Sequence, residues 1–370
     1  MRVDALALED FRNYRRLEAA FSPGVNVIYG ENAQGKTNLL EAVAYLSTAS
    51  SHRARYDREL IRLEAPAAVV KATVEARERT FKLEARLRRG QRRQLFSNGV
   101  RLKTAGALSG VLQTVLVCPE DLSLIRAGAA ERRRFLDECI CQLRPRYAAA
   151  LSQYKRLYEH KTRILRDWEE KPALLDTLDD FSFQMAQAGA VLIHYRAHFL
   201  KRLRETAAAV HADFSGGREQ LDLGYATVST VADPLAPTRD LLEAVLEHQR
   251  AHRQAELEVR QCLTGPHKDD LTVAINGLEA KTYASQGQTR TAALALKLAE
   301  REIYKNASGE YPVLLLDDVL SELDPRRQEF VLNRIAGGQV FITCCEDDRL
   351  PQLLGGKVFH VEQGNVVSSD

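Results

Sequence analysis

The chain has 370 residues, 45% of them hydrophobic and 28% charged, and its 52 Lys and Arg against 50 Asp and Glu give a formal charge of +2. These proportions exclude a disordered or fibrous polypeptide and fit a folded protein of two or three domains. So small a net charge gives little overall attraction to nucleic acid, and any DNA surface must come from local clustering, which Lys71 to Lys103 supplies with eleven basic residues against three acidic ones.

No apolar run approaches the roughly 18 residues of a membrane span, and the opening "MRVDALALED" lacks the apolar core of a signal peptide. A cytoplasmic protein with no membrane partner is therefore expected. Cys118, Cys139, Cys141, Cys262, Cys344 and Cys345 form no Cys-x-x-Cys and no ligand spacing with His, which suits reduced thiols rather than a zinc or redox site.

In chain order, the first 47 residues predict strand, turn, strand, phosphate loop and helix. "VNVIY" at 25–29 is β-rich, and in "NLLEAVAYL" residues Leu39, Leu40, Val43 and Leu46 fall on one helical face. "VVKATVEARERTFKLEARLRR" alternates apolar and polar residues, and "FSNGVRL" carries an Asn98-Gly99 hairpin turn, so an antiparallel sheet with an arginine-rich face is expected. From about residue 129 the period lengthens to that of helices. One runs from about 147 to 168, broken by Glu169 to Pro172, a second carries Leu174 to Leu203 and ends at "DFSGG", and a third covers about 238–262 after a short strand near "LDLGYATV". The last third returns to strands: "LTVAI" with an Asn276-Gly277 turn, a helix from about Thr289, then "VLLLDD" and "VFIT", continuous apolar runs suited to buried parallel strands. The expected fold class is α/β, with 1–125 and 265–370 building one head from both chain ends and 126–264 forming a helical insertion.

Gly30-x4-Gly35-Lys36-Thr37 has the phosphate-loop pattern. Its glycines permit backbone angles that turn successive N–H groups inward, at the positive end of the following helix. Lys36 is placed to reach the β- and γ-phosphates and the Thr37 hydroxyl to bind Mg2+. The partner is "PVLLLDDVLSELDP": its apolar strand ends in Asp317, positioned to hold the Mg2+ through water, and Asp318 follows. Asp318 is either the carboxylate that orients or deprotonates the attacking water or a solvated acid or helix cap at a strand end. It is one methylene shorter than a glutamate, so slow hydrolysis is expected. In "YASQGQTRTAALALKLAE", Ser285 and Gly287 precede a helix whose dipole points them at an anion.

The order of these motifs, with "SELD" at 321–324, resembles the ABC-type ATPase head: a mixed sheet with a phosphate loop, plus an antiparallel β subdomain. In such heads the signature completes the nucleotide site of a second copy. "LEDFRNYRRLEAAFSPGVNVIYGENAQGKTNLLEAVAYLS", "CPEDLSLIRAGAAERRRFLDE", "GPHKDDL", "YASQGQTRT" and "LLLDDVLSELD" together resemble the RecF family of bacterial recombination mediators, over roughly half the chain. The resemblance implies an ATP-dependent DNA-binding homodimer that acts with RecR and RecO at gapped DNA. It also implies that Gly30, Glu31, Asn32, Ala33, Gln34, Gly35, Lys36 and Thr37 bind the triphosphate, and that Ser285, Gly287 and Gln288 close on the partner's γ-phosphate. Asp324 would meet the dimer mate, and Arg12 would sit by the nucleotide. No histidine follows "VFIT", and "CPED" stands where a Q-loop glutamine is usual, which departs from transporter heads.

For DNA contact the clusters Arg86 to Arg93, Arg101 with Lys103, and Arg132 to Arg134 offer a backbone-tracking surface. Each arginine could equally be a solvated face, and the last three could brace the insertion. His267 and Lys268 could serve the loop or the function. A structural ATPase of the cohesin or condensin kind is the rival class, but it needs a long heptad arm, and a helix of 147–168 spans only roughly 33 Å. A transporter subunit is the weaker rival, since the switch histidine is missing.

Overall fold

In the computed structural model, which describes residues 1–108, 110–345 and 356–369, the chain opens with two antiparallel strands, β1 (Arg2–Phe11) and β2 (Tyr14–Ala20). Strand β3 (Val25–Tyr29) leads through the phosphate loop into helix α1 (Lys36–Thr48). The alternating segment then folds as β4 (Ala67–Ala76), β5 (Arg79–Arg88), β6 (Gln94–Ser97) and β7 (Val100–Arg101), and β8 (Thr114–Val117) follows. Val70, Ala72 and Val74 of β4 are buried opposite Ala85, Leu83 and Phe81 of β5, as a period of two dictates. The Asn98-Gly99 turn is present, both residues having positive φ. The β4–β5 turn uses Arg77 and Glu78 at φ 52 and 57 instead. That conformation disfavours side-chain-bearing residues, and the Arg77 amide is held there by the Glu310 carboxylate at 2.9 Å.

The middle of the chain is helical: α2 (Ala129–Leu143), α3 (Pro145–Asp167) and α4 (Leu178–Ser215), then β9 (Leu221–Ala226) and α5 (Thr238–Val259). Helix α4, at 38 residues and roughly 57 Å, covers the run expected from Leu174 to "DFSGG", except that Leu174 falls in a separate 3-10 turn, Pro172–Thr177, before it. It ends at Gly216, a left-handed cap that needs no Cβ. Strands β10 (Asp270–Ile275) and β11 (Leu278–Glu279) and the short helix α6 (Ala280–Tyr283) precede α7 (Gln286–Ser308). The chain then runs through β12 (Val313–Leu316), α8 (Pro325–Arg334), β13 (Val340–Cys344), β14 (Lys357–Glu362) and β15 (Asn365–Ser369).

Two compact units result. The first joins Met1–Ser123 to Arg290–Asp370, and the second is Leu124–Thr289. In the first, an antiparallel sheet of order β2-β1-β4-β5-β6-β7 and a mixed sheet of order β15-β14-β3-β13-β12-β8 share one core. Leu39, Leu40, Val43 and Leu46 of α1 pack into it with Leu6, Val70 and Leu83 of one sheet and Ile28, Leu315 and Phe341 of the other. Both ends of the chain are therefore needed to build it, as the apolar runs predicted. In the second unit β10 pairs along its whole length with β9. This pairing draws residues 265–289 in with the helices, whereas the sequence reading assigned them to the head.

The second unit buries several charges, each with partners. Arg196 donates to Asp137, to Asp269 at 2.9 Å and to the Pro266 carbonyl at 2.7 Å. Lys161 meets Glu256 at 2.6 Å, and Glu256 also accepts from the Leu263 and Thr264 amides. Leaving either partner alone would strand a charge away from water. "GPHKDD" is the hub: Asp270 holds Arg132 in a two-pronged pair at 2.8 and 2.7 Å, and Arg133 donates to the Asp269 carbonyl.

Candidate nucleotide site

The phosphate loop is shaped by its backbone. Gly30 has φ 148, and a Cβ there would lie 2.3 Å from the Val361 carbonyl oxygen. Gly35 has φ 120, and a Cβ there would collide with Asn13. No side chain caps the N-terminus of α1 and its first turn carries no acid, so the N–H groups are left for an anion. Around them stand residues the sequence reading did not single out. The buried Tyr14 hydroxyl donates to the Gly35 carbonyl at 3.0 Å, Asn13 donates to the Gln34 carbonyl at 2.8 Å, and the Gln363 amide donates to the Gln34 side chain at 2.6 Å. "FRNY" thus braces the loop from outside, a role no motif spacing announces.

Lys36 is only 3% exposed, and its ammonium donates to the Gly30 and Glu31 carbonyls at 2.7 and 3.0 Å, with Cys345 Sγ at 3.9 Å. Cys345 in turn donates to Asn32 Oδ1 at 3.3 Å. Arg12 does not lie free beside the loop. It forms a two-pronged pair with Glu41 of α1, 2.8 Å on each prong. Burial alone would lift the Glu41 carboxyl, but hydrogen bonds from Arg12 and Ser51 outweigh it and hold the group below the usual carboxylate range.

Asp317 comes to the same place from the end of β12. Its Oδ1 accepts from the Thr37 hydroxyl at 2.9 Å and from the Thr343 hydroxyl at 2.8 Å. The side chain is 4% exposed, and burial, reinforced by the neighbouring Asp318 and opposed by the two hydroxyls, raises its pKa. Asp318 takes a left-handed backbone, φ 49, and its amide donates to Thr343 Oγ1 at 2.8 Å. Thr343 therefore sets both acids, yet in the sequence it is only the polar end of a buried strand. Residues 346–355, where a switch histidine would stand, lie outside the described residues.

In the second unit the signature forms its own cap. Gln288 N donates to Ser285 Oγ at 3.2 Å and Ser285 N donates to Gln288 Oε1 at 2.8 Å, a reciprocal box at the start of α7. Gln288 also reaches Glu219 at 2.9 Å, and Gly287 lies in the first turn. Asp324 caps α8, accepting from the Arg327 amide at 3.1 Å. Of the basic clusters, Arg86 pairs with Glu84, Arg89 donates to the Ala65 carbonyl and Arg93 pairs with Asp57. Arg132 and Arg133 brace the insertion, while Arg88, Arg92, Arg101 and Lys103 are exposed. His267 accepts or donates between Tyr154 at 2.8 Å and the Cys262 carbonyl at 3.2 Å, a loop role. None of the six cysteines is in a disulfide, and among the described residues no cluster of His, Cys, Asp and Glu could hold a metal by itself.

A phosphate loop opening onto α1, a buried acid at the end of a parallel strand two places away in the same sheet, and a capped signature helix define an ATPase head of the ABC and SMC type. The family model for the RecF/RecN/SMC N terminal domain matches residues 2–365. A solved Smc head bound to the C-winged helix domain of ScpA has the same fold, with TM-score 0.57 over all of this chain and 98% of that one at 16% identity. Within that class the likeness narrows. The DNA replication and repair protein RecF of Agathobacter rectalis is 39% identical over 99% of both chains, and that of Bacillus cereus 38% identical over 99% and 98%. A structure of the recombination mediator protein RecF-ATP in the RecFOR pathway superposes with TM-score 0.90 over all of this chain and 96% of that one, at 32% identity. The chain belongs to the RecF family.

Proposed function

We propose that this chain is an ATP-binding recombination mediator of DNA replication and repair, a switch in which ATP joins two copies on DNA. The observation that carries the reading is the meeting of Thr37 and Asp317 at 2.9 Å beside the open end of α1. A hydroxyl and a carboxylate are hard oxygen donors, so the pair fits Mg2+, which would neutralise phosphate charge when bound. Lys36 would then give up carbonyl partners for the β- and γ-phosphates. Asp318, next in the chain and bound through its backbone to Thr343, is the candidate to orient water, with slow turnover. Ser285, exposed, and Gln288, half-buried, cap a helix start in the other unit, which suits their completing the site of a second copy, so that binding would be linked to association. Gapped or junction DNA, RecR and RecO as partners, a place in the SOS response and a cytoplasmic location complete the proposal. No helix among the described residues is long and apolar enough to cross a membrane.

Sedimentation with Mg2+ and ATP tests the switch. Asp318→Asn is expected to hold a persistent dimer on DNA. Lys36→Ala is expected to remain a monomer and to lose ATP-dependent retention on DNA. A Lys36→Ala chain retained on DNA as well as the wild type would refute the link.

A further inference from the structure

We propose that Arg55, Tyr56 and Arg58 form a stacking site for an unpaired nucleotide of single-stranded DNA. The inference rests on the reading of the chain as a DNA-acting mediator and adds which part of the DNA this surface takes. The three residues follow α1 around a single 3-10 turn, Asp57–Glu59: Arg58 lies within it, Tyr56 immediately precedes it in extended conformation, and Arg55 comes one residue earlier. The Arg55 and Arg58 guanidinium carbons lie 5.3 and 4.8 Å from the Tyr56 ring centroid, yet the tyrosine stays 47% exposed. Beyond the turn, Leu60 and Ile61 are buried.

The platform is fixed. The Arg12 amide donates to the Leu60 carbonyl and the Arg62 amide to the Asp10 carbonyl, both at 2.8 Å, so the turn is laced to the β1–β2 hairpin. Its own acids are occupied elsewhere. Asp57 is taken by Arg93 at 3.1 Å and by the Tyr45 hydroxyl at 3.1 Å, and Glu59 accepts from the Arg55 backbone amide at 3.0 Å. Among the described residues no carboxylate pairs with the guanidinium of Arg55 or Arg58. Two uncompensated guanidinium groups over an exposed aromatic ring are what an unstacked base and its phosphate require. The base stacks on the ring or on a guanidinium plane, and the phosphate meets the remaining positive charge. Duplex DNA has its bases paired and stacked and offers this site only its phosphates.

The test is fluorescence anisotropy of the full chain with Mg2+ and ATP, on oligo-dT, on blunt duplex and on duplex with a single-stranded tail, across a salt series. Tyr56→Leu is expected to weaken oligo-dT and tailed duplex about tenfold and to leave blunt duplex within about twofold, while Tyr56→Phe keeps wild-type affinity. Arg55→Gln and Arg58→Gln should each lower the salt slope on oligo-dT by about one. Photo-crosslinking of 5-iodouracil oligonucleotides to the wild type should map to Tyr56. Wild-type binding with an equal loss on all three DNAs in Tyr56→Leu, or with no loss at all, overturns the stacking site and leaves the mediator reading standing. A wild type that binds none of the DNAs overturns both.

Discussion

Asp317 must be charged to hold a cation, in surroundings that favour its neutral form. Burial lifts its pKa, and the hydroxyls of Thr37 and Thr343 recover only part of that cost. The linkage has a definite sign. Between the ordinary carboxylate range and the raised value the folded chain keeps a proton that the unfolded chain has lost, so stability falls as pH rises through that window. Asp317→Asn keeps an oxygen acceptor for both hydroxyls and removes the charge. It is expected to raise the melting temperature of the nucleotide-free chain by about 2–4 °C per kcal/mol released, and to abolish Mg2+-dependent ATP binding. Differential scanning fluorimetry from pH 4 to 8 measures this, and a lowered melting temperature in the variant would remove the argument. At this scale the glycines, Lys36, Thr37 and Asp317 were legible because their backbone demands are local. Thr343, Tyr14 and Asn13 were not, because their importance comes from partners brought up by other strands.

The "GPHKDD" segment belongs to the scale of elements. Its block was visible in the sequence, but the part its acids play was not, since their arginine partners sit on α2 and α4 and only the folded helices bring them together. His267 is its pH-sensitive member. Burial drives its pKa down to about 4, opposed by a hydrogen bond to the Cys262 carbonyl. The ring is therefore neutral in the fold, and the stability tied to it is present above the ordinary histidine value and lost as pH falls from about 6.5 towards 4, at most about 3 kcal/mol. Trp168, the one tryptophan of the chain, lies in the same unit and reports its unfolding. Urea titrations followed at this residue should show a steeper loss between pH 6.5 and 4 for the wild type than for His267→Gln. Identical slopes would mean the ring is not held neutral. The boundary near residue 265 was misread for a related reason: β10 looks like any other strand until β9, more than forty residues earlier, is known to be its neighbour.

For the whole molecule, what matters is that one unit is continuous in sequence and the other is not. Leu124–Thr289 can close on local contacts, whereas β3 is flanked by β13 and β14, more than three hundred residues away. Long loop closure slows folding. Pulsed hydrogen exchange during refolding should find α3, α4 and α5 protected before β3 and β13, and the reverse order would contradict this account. The two-ended head itself was legible, because the β-rich run at 25–29 and the continuous apolar runs at 313–316 and 340–343 suit buried strands of one sheet.

The same strand order bears on errors of synthesis. A ribosome that stops anywhere before β13 releases a chain whose phosphate-loop strand lacks both of its neighbours. Such a fragment lacks the strands that frame its phosphate loop. If ATP joins two copies as proposed, it would not engage a full-length twin, and nonsense alleles are expected to behave as recessive.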